Sequence, residues 1–239
     1  MRDRERLIVA LDTSDLKQAS RIVDLLAPHV GMFKVGMQLY YSHGPEAVRE
    51  IMRRGAKVFL DLKLHDIPNT VARAVEVMVD LGVFMFNLHV AGGREMLKRA
   101  AETARSRAQE KGVQKPLILG VTVLTSLDEK ALREEIGIPK PLRETVKDWA
   151  YMAKEAGLDG VVASAQEVEL IRKVCGDDFV IVTPGIRPAW AEHGDQKRVT
   201  SPAEAVAAGA TYLVVGRPVT AAPDPVEAVR KIMDEMEGL

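Results

Sequence analysis

Apolar residues along this chain fall into two patterns that take turns from one end to the other. Short dense runs rich in Val, Ile, Leu, Phe and Met occupy residues 7–12, 32–37, 57–63, 85–90, 117–124, 160–165, 180–185 and 212–217, and such runs read as buried strands. Between them, apolar positions recur at helical spacing over 15–26, 45–54, 70–81, 94–110, 142–156, 166–174, 202–208 and 225–236, which predicts amphipathic helices. Glycines punctuate the ends of five of these segments, at Gly55, Gly82, Gly112, Gly157 and Gly209, where a left-handed residue stops a helix. Strict alternation of strand and helix implies a parallel sheet with helices outside it. Eight such units within 239 residues predict an α/β chain folded as a single-domain (β/α)8 TIM barrel over residues 1–239. A doubly wound open sheet would want a glycine-rich turn after its first strand; Asp12-Thr13-Ser14-Asp15 stands there instead. Two connections exceed what the barrel needs. Residues 125–141 are expected to hold a short extra helix, and the polar segment 186–200 is expected to be a functional loop or lid.

Composition narrows the function. The chain is 47% hydrophobic and 28% charged, with a formal net charge of -1, and its Lys and Arg residues are scattered. No nucleic-acid partner is expected from that balance, although a few local cations would still hold a small anion. The single cysteine, Cys175, excludes an internal disulfide and a cysteine-built metal site, and suits a reducing compartment. No apolar run nears the ~20 residues of a spanning helix, and Met1-Arg2-Asp3-Arg4-Glu5-Arg6 leads straight into the first strand without the apolar core of a leader. A cytoplasmic protein with no membrane partner is the expectation.

Candidate chemistry sits where the strands end, which in a barrel is the active face. Asp12 closes the first strand, Lys34 lies in the second, Asp61 and Lys63 close the third, and Asn87 and His89 share a face of the fourth. Alternate residues of a strand share a face, so Asp61 and Lys63 point one way and Leu60, Leu62 and Leu64 the other. Thr125 follows the fifth strand, Arg187 the seventh and Arg217 the eighth. Each has a plainer reading taken singly: a solvated rim charge, a helix cap at Asp12, a snorkelling Lys34, a hydrogen-bonded core histidine at His89. Jointly, charges from three consecutive strands converge on one mouth, and Lys34, Asp61, Lys63 and Asp66 alternate in sign. Buried charges persist only when paired, so such a set must form a network. Carboxylates on both sides of Lys63 favour its ammonium form, which fits a proton donor better than a Schiff-base nucleophile. The cation at Lys34 argues against a divalent metal in the same place. The loops after strands seven and eight commonly bind phosphate in these barrels, and here they supply Gly185, Arg187, Gln196, Gly216 and Arg217.

Asp61-Leu62-Lys63-Leu64-His65-Asp66-Ile67-Pro68-Asn69-Thr70 resembles the signature of the orotidine 5'-monophosphate decarboxylase family, bacterial type. Supporting segments follow in the family's order: Val9-Ala10-Leu11-Asp12, Phe33-Lys34-Val35-Gly36, Val121-Thr122-Val123-Leu124-Thr125-Ser126, Thr183-Pro184-Gly185-Ile186-Arg187, Gly194-Asp195-Gln196 and Val215-Gly216-Arg217-Pro218. The Asp-x-Lys-x-x-Asp core is shared with sugar-phosphate relatives of the superfamily, whereas the His-Asp-Ile-Pro-Asn-Thr extension is far more specific. The resemblance implies conversion of orotidine 5'-phosphate to UMP and CO2 in de novo pyrimidine biosynthesis, with no metal or organic cofactor. It implies that Lys63 protonates C6, that Asp61 faces the substrate carboxylate, and that Lys34 and Asp66 complete the network. Asp12 and Lys34 would hold the ribose, Thr125 the pyrimidine, Gln196 both base and phosphate, and Arg187, Gly216 and Arg217 the phosphate. A homodimer is implied, in which Asp66, Ile67 and Thr70 reach the neighbouring subunit's site. Two other readings remain: a magnesium-dependent sugar-phosphate decarboxylase or synthase, whose members carry a carboxylate where this chain has Lys34, and a catalytically silent phosphate-binding barrel.

Overall fold

The computed structural model describes residues 3–191 and 199–238. Eight parallel strands close into a barrel: β1 Leu7–Ala10, β2 Met32–Gly36, β3 Lys57–Leu64, β4 Met85–His89, β5 Leu117–Val121, β6 Gly160–Val162, β7 Val180–Thr183 and β8 Tyr212–Val215. Each strand pairs with the next in sequence, and β8 returns to β1 through Leu7↔Leu213 and Val9↔Val215. The two-residue period of the strands sorts the side chains. Ile8, Ala10, Met32, Phe59, Met85, Leu119, Val182, Tyr212 and Val214 fill the barrel, while their neighbours Val9, Phe33, Leu60, Phe86, Ile118, Val161, Ile181 and Leu213 pack outward beneath the helices. Burial on both faces is why the strands read as near-continuous apolar runs.

The helices stand where the apolar period places them, as Leu16–Leu26, Pro45–Met52, Pro68–Leu81, Arg94–Lys111, Leu142–Glu155, Val168–Cys175, Pro202–Ala207 and Pro225–Glu237. Their starts are chemically specified. Asp15 accepts from the N–H groups of Lys17 and Gln18, Asp224 from those of Val226 and Glu227, and Ser201 with Glu204 forms a reciprocal capping box; a cap of this kind contributes about 1 kcal/mol. Gly82 and Gly112 end their helices with φ of 76° and 63°, the left-handed geometry that glycine adopts without a Cβ clash.

Most strands stop short of the apolar run that announces them: β5 ends at Val121 and β6 at Val162, because the residues beyond have left the ladder for the loops of the mouth. The 125–141 connection holds the short helix Glu129–Glu134, capped by Asp128. A further helix, Met37–His43, follows β2 directly with only Leu39 buried, so it has no apolar stripe by which the pattern would reveal it. Residues 166–174 divide into a 3-10 turn, Ala165–Glu167, and the helix Val168–Cys175. No helix among the described residues is long and apolar enough to cross a membrane. Cys175 is a buried free thiol.

Candidate active site

Apolar filling of the barrel gives way to charge at the C-terminal end of the strands. Lys34 follows Met32 in the inward phase of β2, Asp61 follows Phe59 in β3, and Asn87 follows Met85 in β4. Asp12 lies just beyond β1. These side chains form a chain of alternating sign: Asp12 Oδ1 to Lys34 Nζ at 2.9 Å, Lys34 Nζ to Asp61 Oδ2 at 3.4 Å, and Asp61 Oδ1 to Lys63 Nζ at 2.6 Å. Asp12 is solvent-exposed at one end, whereas Asp61 in the middle is 9% exposed. Burial alone would push the Asp61 carboxyl up; Lys34, Lys63 and the hydrogen bond from Asn87 more than offset it and hold the group below its ordinary range. Burial opposes the Lys34 ammonium in the same way, and Asp61 and Asp12 hold it above its ordinary range nonetheless. Both groups are therefore charged at neutral pH, and their mutual pairing sustains that charge against desolvation.

The end of β3 is not regular. Leu60 pairs with Phe86 and Leu64 pairs with Leu88, so Asp61, Leu62 and Lys63 stand opposite Asn87 alone. Lys63 takes φ 53°, the one positive φ outside glycine among the described residues; such a conformation costs on the order of 1–3 kcal/mol and persists only where its surroundings impose it. Leu62 and Leu64 still pack on the outer cluster. Simple alternation thus puts the right residues on the right faces, but a bulge brings Lys63 back against Asp61. Asn87 holds the bulge: its Oδ1 accepts from the Lys63 backbone N–H at 2.8 Å, and its Nδ2 donates to Asp61 Oδ1 at 2.7 Å.

A cavity of about 440 Å³ opens over this network. Asp12, Lys34, Asp61 and Lys63 form one wall. Val123, Leu124 and Thr125 form a second. Pro184, Arg187, Gly216 and Arg217 form a third. Burial, and Arg217 close by, press the Arg187 guanidinium below its ordinary range. Two cations held near each other at a cavity wall are a place for an anion. Arg187 sits at the root of the 186–200 connection, where its N–H donates to Thr200 O at 3.0 Å and Ile186 bridges Thr200. Gln196 lies outside the described residues.

Asp66, Ile67 and Thr70 are placed elsewhere. They are exposed around the start of the Pro68–Leu81 helix and do not line this cavity. Asp66 Oδ1 accepts from the Ile67 N–H at 2.6 Å, and the Ile67 side chain is 66% exposed. His89 lies 5.3 Å from His65 between ring centres; burial, with His65 and Lys63, lowers its ring against the pull of Asp61. Among the described residues, no three His, Cys, Asp or Glu side chains group as a metal site. Gly36 is a contributor that sequence reasoning passes over: a Cβ there would come within 3.0 Å of Lys34 Nζ and 3.4 Å of Asp12 Oδ1, so glycine leaves room for that ion pair. No sequence pattern signals this, since the need arises only from the approach of two side chains.

The family model described as Orotidine 5'-phosphate decarboxylase / HUMPS matches residues 5–232. The chain belongs to that family. Curated orotidine 5'-phosphate decarboxylases share its full length: that of Moorella thermoacetica is 55% identical over 99% of this chain and 94% of its own, and that of Syntrophomonas wolfei is 55% identical over 99% of this chain and 100% of its own. The crystal structure of the Lactobacillus acidophilus orotidine 5'-phosphate decarboxylase superposes with a TM-score of 0.85 at 39% identity, covering 97% of this chain and 98% of that one. Membership in the orotidine 5'-phosphate decarboxylase / HUMPS family accounts for the closed barrel.

Proposed function

We propose that this chain decarboxylates orotidine 5'-phosphate to UMP and CO2, the carboxy-lyase step of de novo pyrimidine biosynthesis, without metal or cofactor. The observation that carries the mechanism is the Lys63 ammonium held 2.6 Å from a buried, ionised Asp61, in a cavity also lined by Arg187 and Arg217. The arginines, with Gly216, take the phosphate, and Gln196 bridges base and phosphate. Asp12 and Lys34 take ribose hydroxyls, and Thr125 takes the pyrimidine. The substrate carboxylate then lies against Asp61, and C6 lies toward Lys63 Nζ. Breaking the C6–carboxyl bond releases CO2 and leaves an electron pair in the ring plane, where the π-system cannot delocalise it. A fixed cation stabilises that charge electrostatically. Lys63 then gives a proton to C6 and regains one from solvent. The phosphate supplies binding energy far from C6, and that energy can hold the network and the 186–200 connection in their working arrangement.

Asp66, Ile67 and Thr70, exposed and outside their own chain's cavity, are assigned to the site of a second copy in a homodimer. The magnesium-dependent sugar-phosphate reading fits less well, because the Lys34 ammonium, 3.4 Å from Asp61, stands where a divalent cation would have to bind. The deciding experiment mixes chelator-treated protein with orotidine 5'-phosphate and follows the fall in ultraviolet absorbance. Turnover at full rate is expected. Activity that needs added magnesium would transfer the chain to the sugar-phosphate branch, and no turnover under either condition would favour a silent binding barrel.

A further inference from the structure

Asn87 is 1% exposed and is one of only two asparagines in the chain. It occupies an inward position of β4, beside the charged end of β3. Both ends of its amide are used: Oδ1 accepts from the Lys63 backbone N–H at 2.8 Å, and Nδ2 donates to Asp61 Oδ1 at 2.7 Å. Asp61 Oδ1 also accepts from Lys63 Nζ at 2.6 Å. The three residues close a hydrogen-bonded circuit in which the backbone and the side chain of Lys63 are tied to one fixed point. The strained φ of Lys63 and the broken β3–β4 register coincide with that circuit. Strain that survives at one residue of a cavity wall is a pointer to function, and the group that imposes it here is the Asn87 amide.

We infer that Asn87 is a positioning residue for the decarboxylation: it fixes the bulge of β3 and the rotamer of Asp61, and so aims the Lys63 ammonium at the reacting carbon. The inference rests on the assignment of Lys63 and Asp61 to the chemistry. Asn87 is shielded from solvent and does not line the cavity. Its effect should therefore appear in kcat and spare nucleotide binding. An amide is needed because the site asks for one acceptor toward the Lys63 N–H and one donor toward a carboxylate. An ionised aspartate has the shape but offers no donor, and it would face Asp61 as a like charge. A protonated aspartate restores both roles, with C=O accepting and O–H donating. The charged and titratable groups around it are Asp61 and Lys63 on β3, Lys34 on β2, and His89 with its neighbour His65.

The test compares Asn87→Ala and Asn87→Asp with the wild type. Misaiming a reacting group by about 1 Å costs on the order of 10²-fold, so each variant should lose about that much kcat at pH 8. UMP affinity and KM should stay within about threefold, as expected when only transition-state contacts are lost. Asn87→Asp should regain kcat as pH falls, in the range where the wild type is flat, because protonation rebuilds the donor. Should Asn87→Ala fold poorly, the isosteric aspartate variant carries the test alone. A kcat within about threefold of wild type in Asn87→Asp at pH 8 would overturn the inference. So would a loss with no recovery at low pH that parallels a loss of folded protein. Lys63→Ala assayed alongside separates the two levels. If it is inactive while Asn87→Asp is fully active, only the positioning role fails. If Lys63→Ala is active, the role of Lys63 fails and the inference with it.

Discussion

Replacing Lys63 by alanine should leave a folded, nucleotide-binding protein that scarcely turns over. Stability first: Lys63→Ala removes one of two cations from a buried carboxylate, but Asp61 keeps Lys34 at 3.4 Å and the Asn87 amide at 2.7 Å, so it is not left as an uncompensated charge. The loss is a charge-assisted hydrogen bond at a partly exposed lysine, about 1–3 kcal/mol and a fall of several degrees in Tm for a chain of this size. The strained φ of 53° stays, since alanine is no freer there than lysine. Turnover is another matter. Lys63 supplies both the electrostatic partner of the carbanion, about 3–4 kcal/mol for one preorganised donor, and the proton that quenches it, typically 10²–10⁴-fold. Together these predict a kcat lower by about 10⁴-fold or more. The assay is the absorbance change of orotidine 5'-phosphate under saturating substrate, with UMP titrated calorimetrically into the same preparation. A variant that binds UMP normally yet keeps kcat within about 10-fold of wild type, ~1.4 kcal/mol, would refute the assignment of Lys63 as acid.

Other expectations follow from the same geometry. Arg217→Ala should lower kcat/KM for the nucleotide by roughly 10²–10⁴-fold while barely touching the poor turnover of orotidine, which lacks the phosphate; equal losses on both substrates would make Arg217 a support of the barrel. Co-expressing Lys63→Ala with Asp66→Ala should restore about a quarter of wild-type activity, since half of randomly paired dimers carry one intact site of two; no recovery would place Asp66 in its own chain's chemistry. The pH dependence of stability has a definite sign. Asp61 is held below its ordinary 3.8, so its contribution is present above that value and is lost as pH falls through the folded value. Lys34 is held above 10.5, so its share is present below that value and is lost as pH rises through the folded one. His89, lowered by burial, His65 and Lys63, favours the neutral ring and weakens the fold as pH drops below its ordinary 6.5. Thermal scans of Asp61→Asn should therefore show a lower Tm than wild type between about pH 7 and 9 and a shallower acid limb; an unchanged acid limb would mean that Asp61 is not tied to its lysines.

What was legible in the chain divides along the reach of the interactions. Strand starts and helix spans follow from local period and from caps such as Asp15 and Asp224, whose partners are two or three residues away. The charged mouth was legible too, because strand phase fixes which residues face inward and a parallel barrel leaves one end for them: Lys34, Asp61 and Asp12 stand where their phase with Met32, Phe59 and Ala10 puts them. The bulge was not legible. It arises because Asn87, 24 residues further on, captures the Lys63 N–H and diverts it from the regular ladder, and no local property of Leu62-Lys63-Leu64 announces that. The same limit hid the role of Gly36, which depends on two side chains meeting above it. Yet Asn87 carried a signal. An amide in the inward phase of Met85-Phe86-Asn87-Leu88-His89 has no water to satisfy it and must find partners across the barrel. Those partners are the strand that carries the chemistry, since adjacent β3 is the element that presents both an unpaired N–H and an acceptor at that level. Buried polar residues in strand phase with apolar ones thus point beyond the charges themselves to the groups that set their aim.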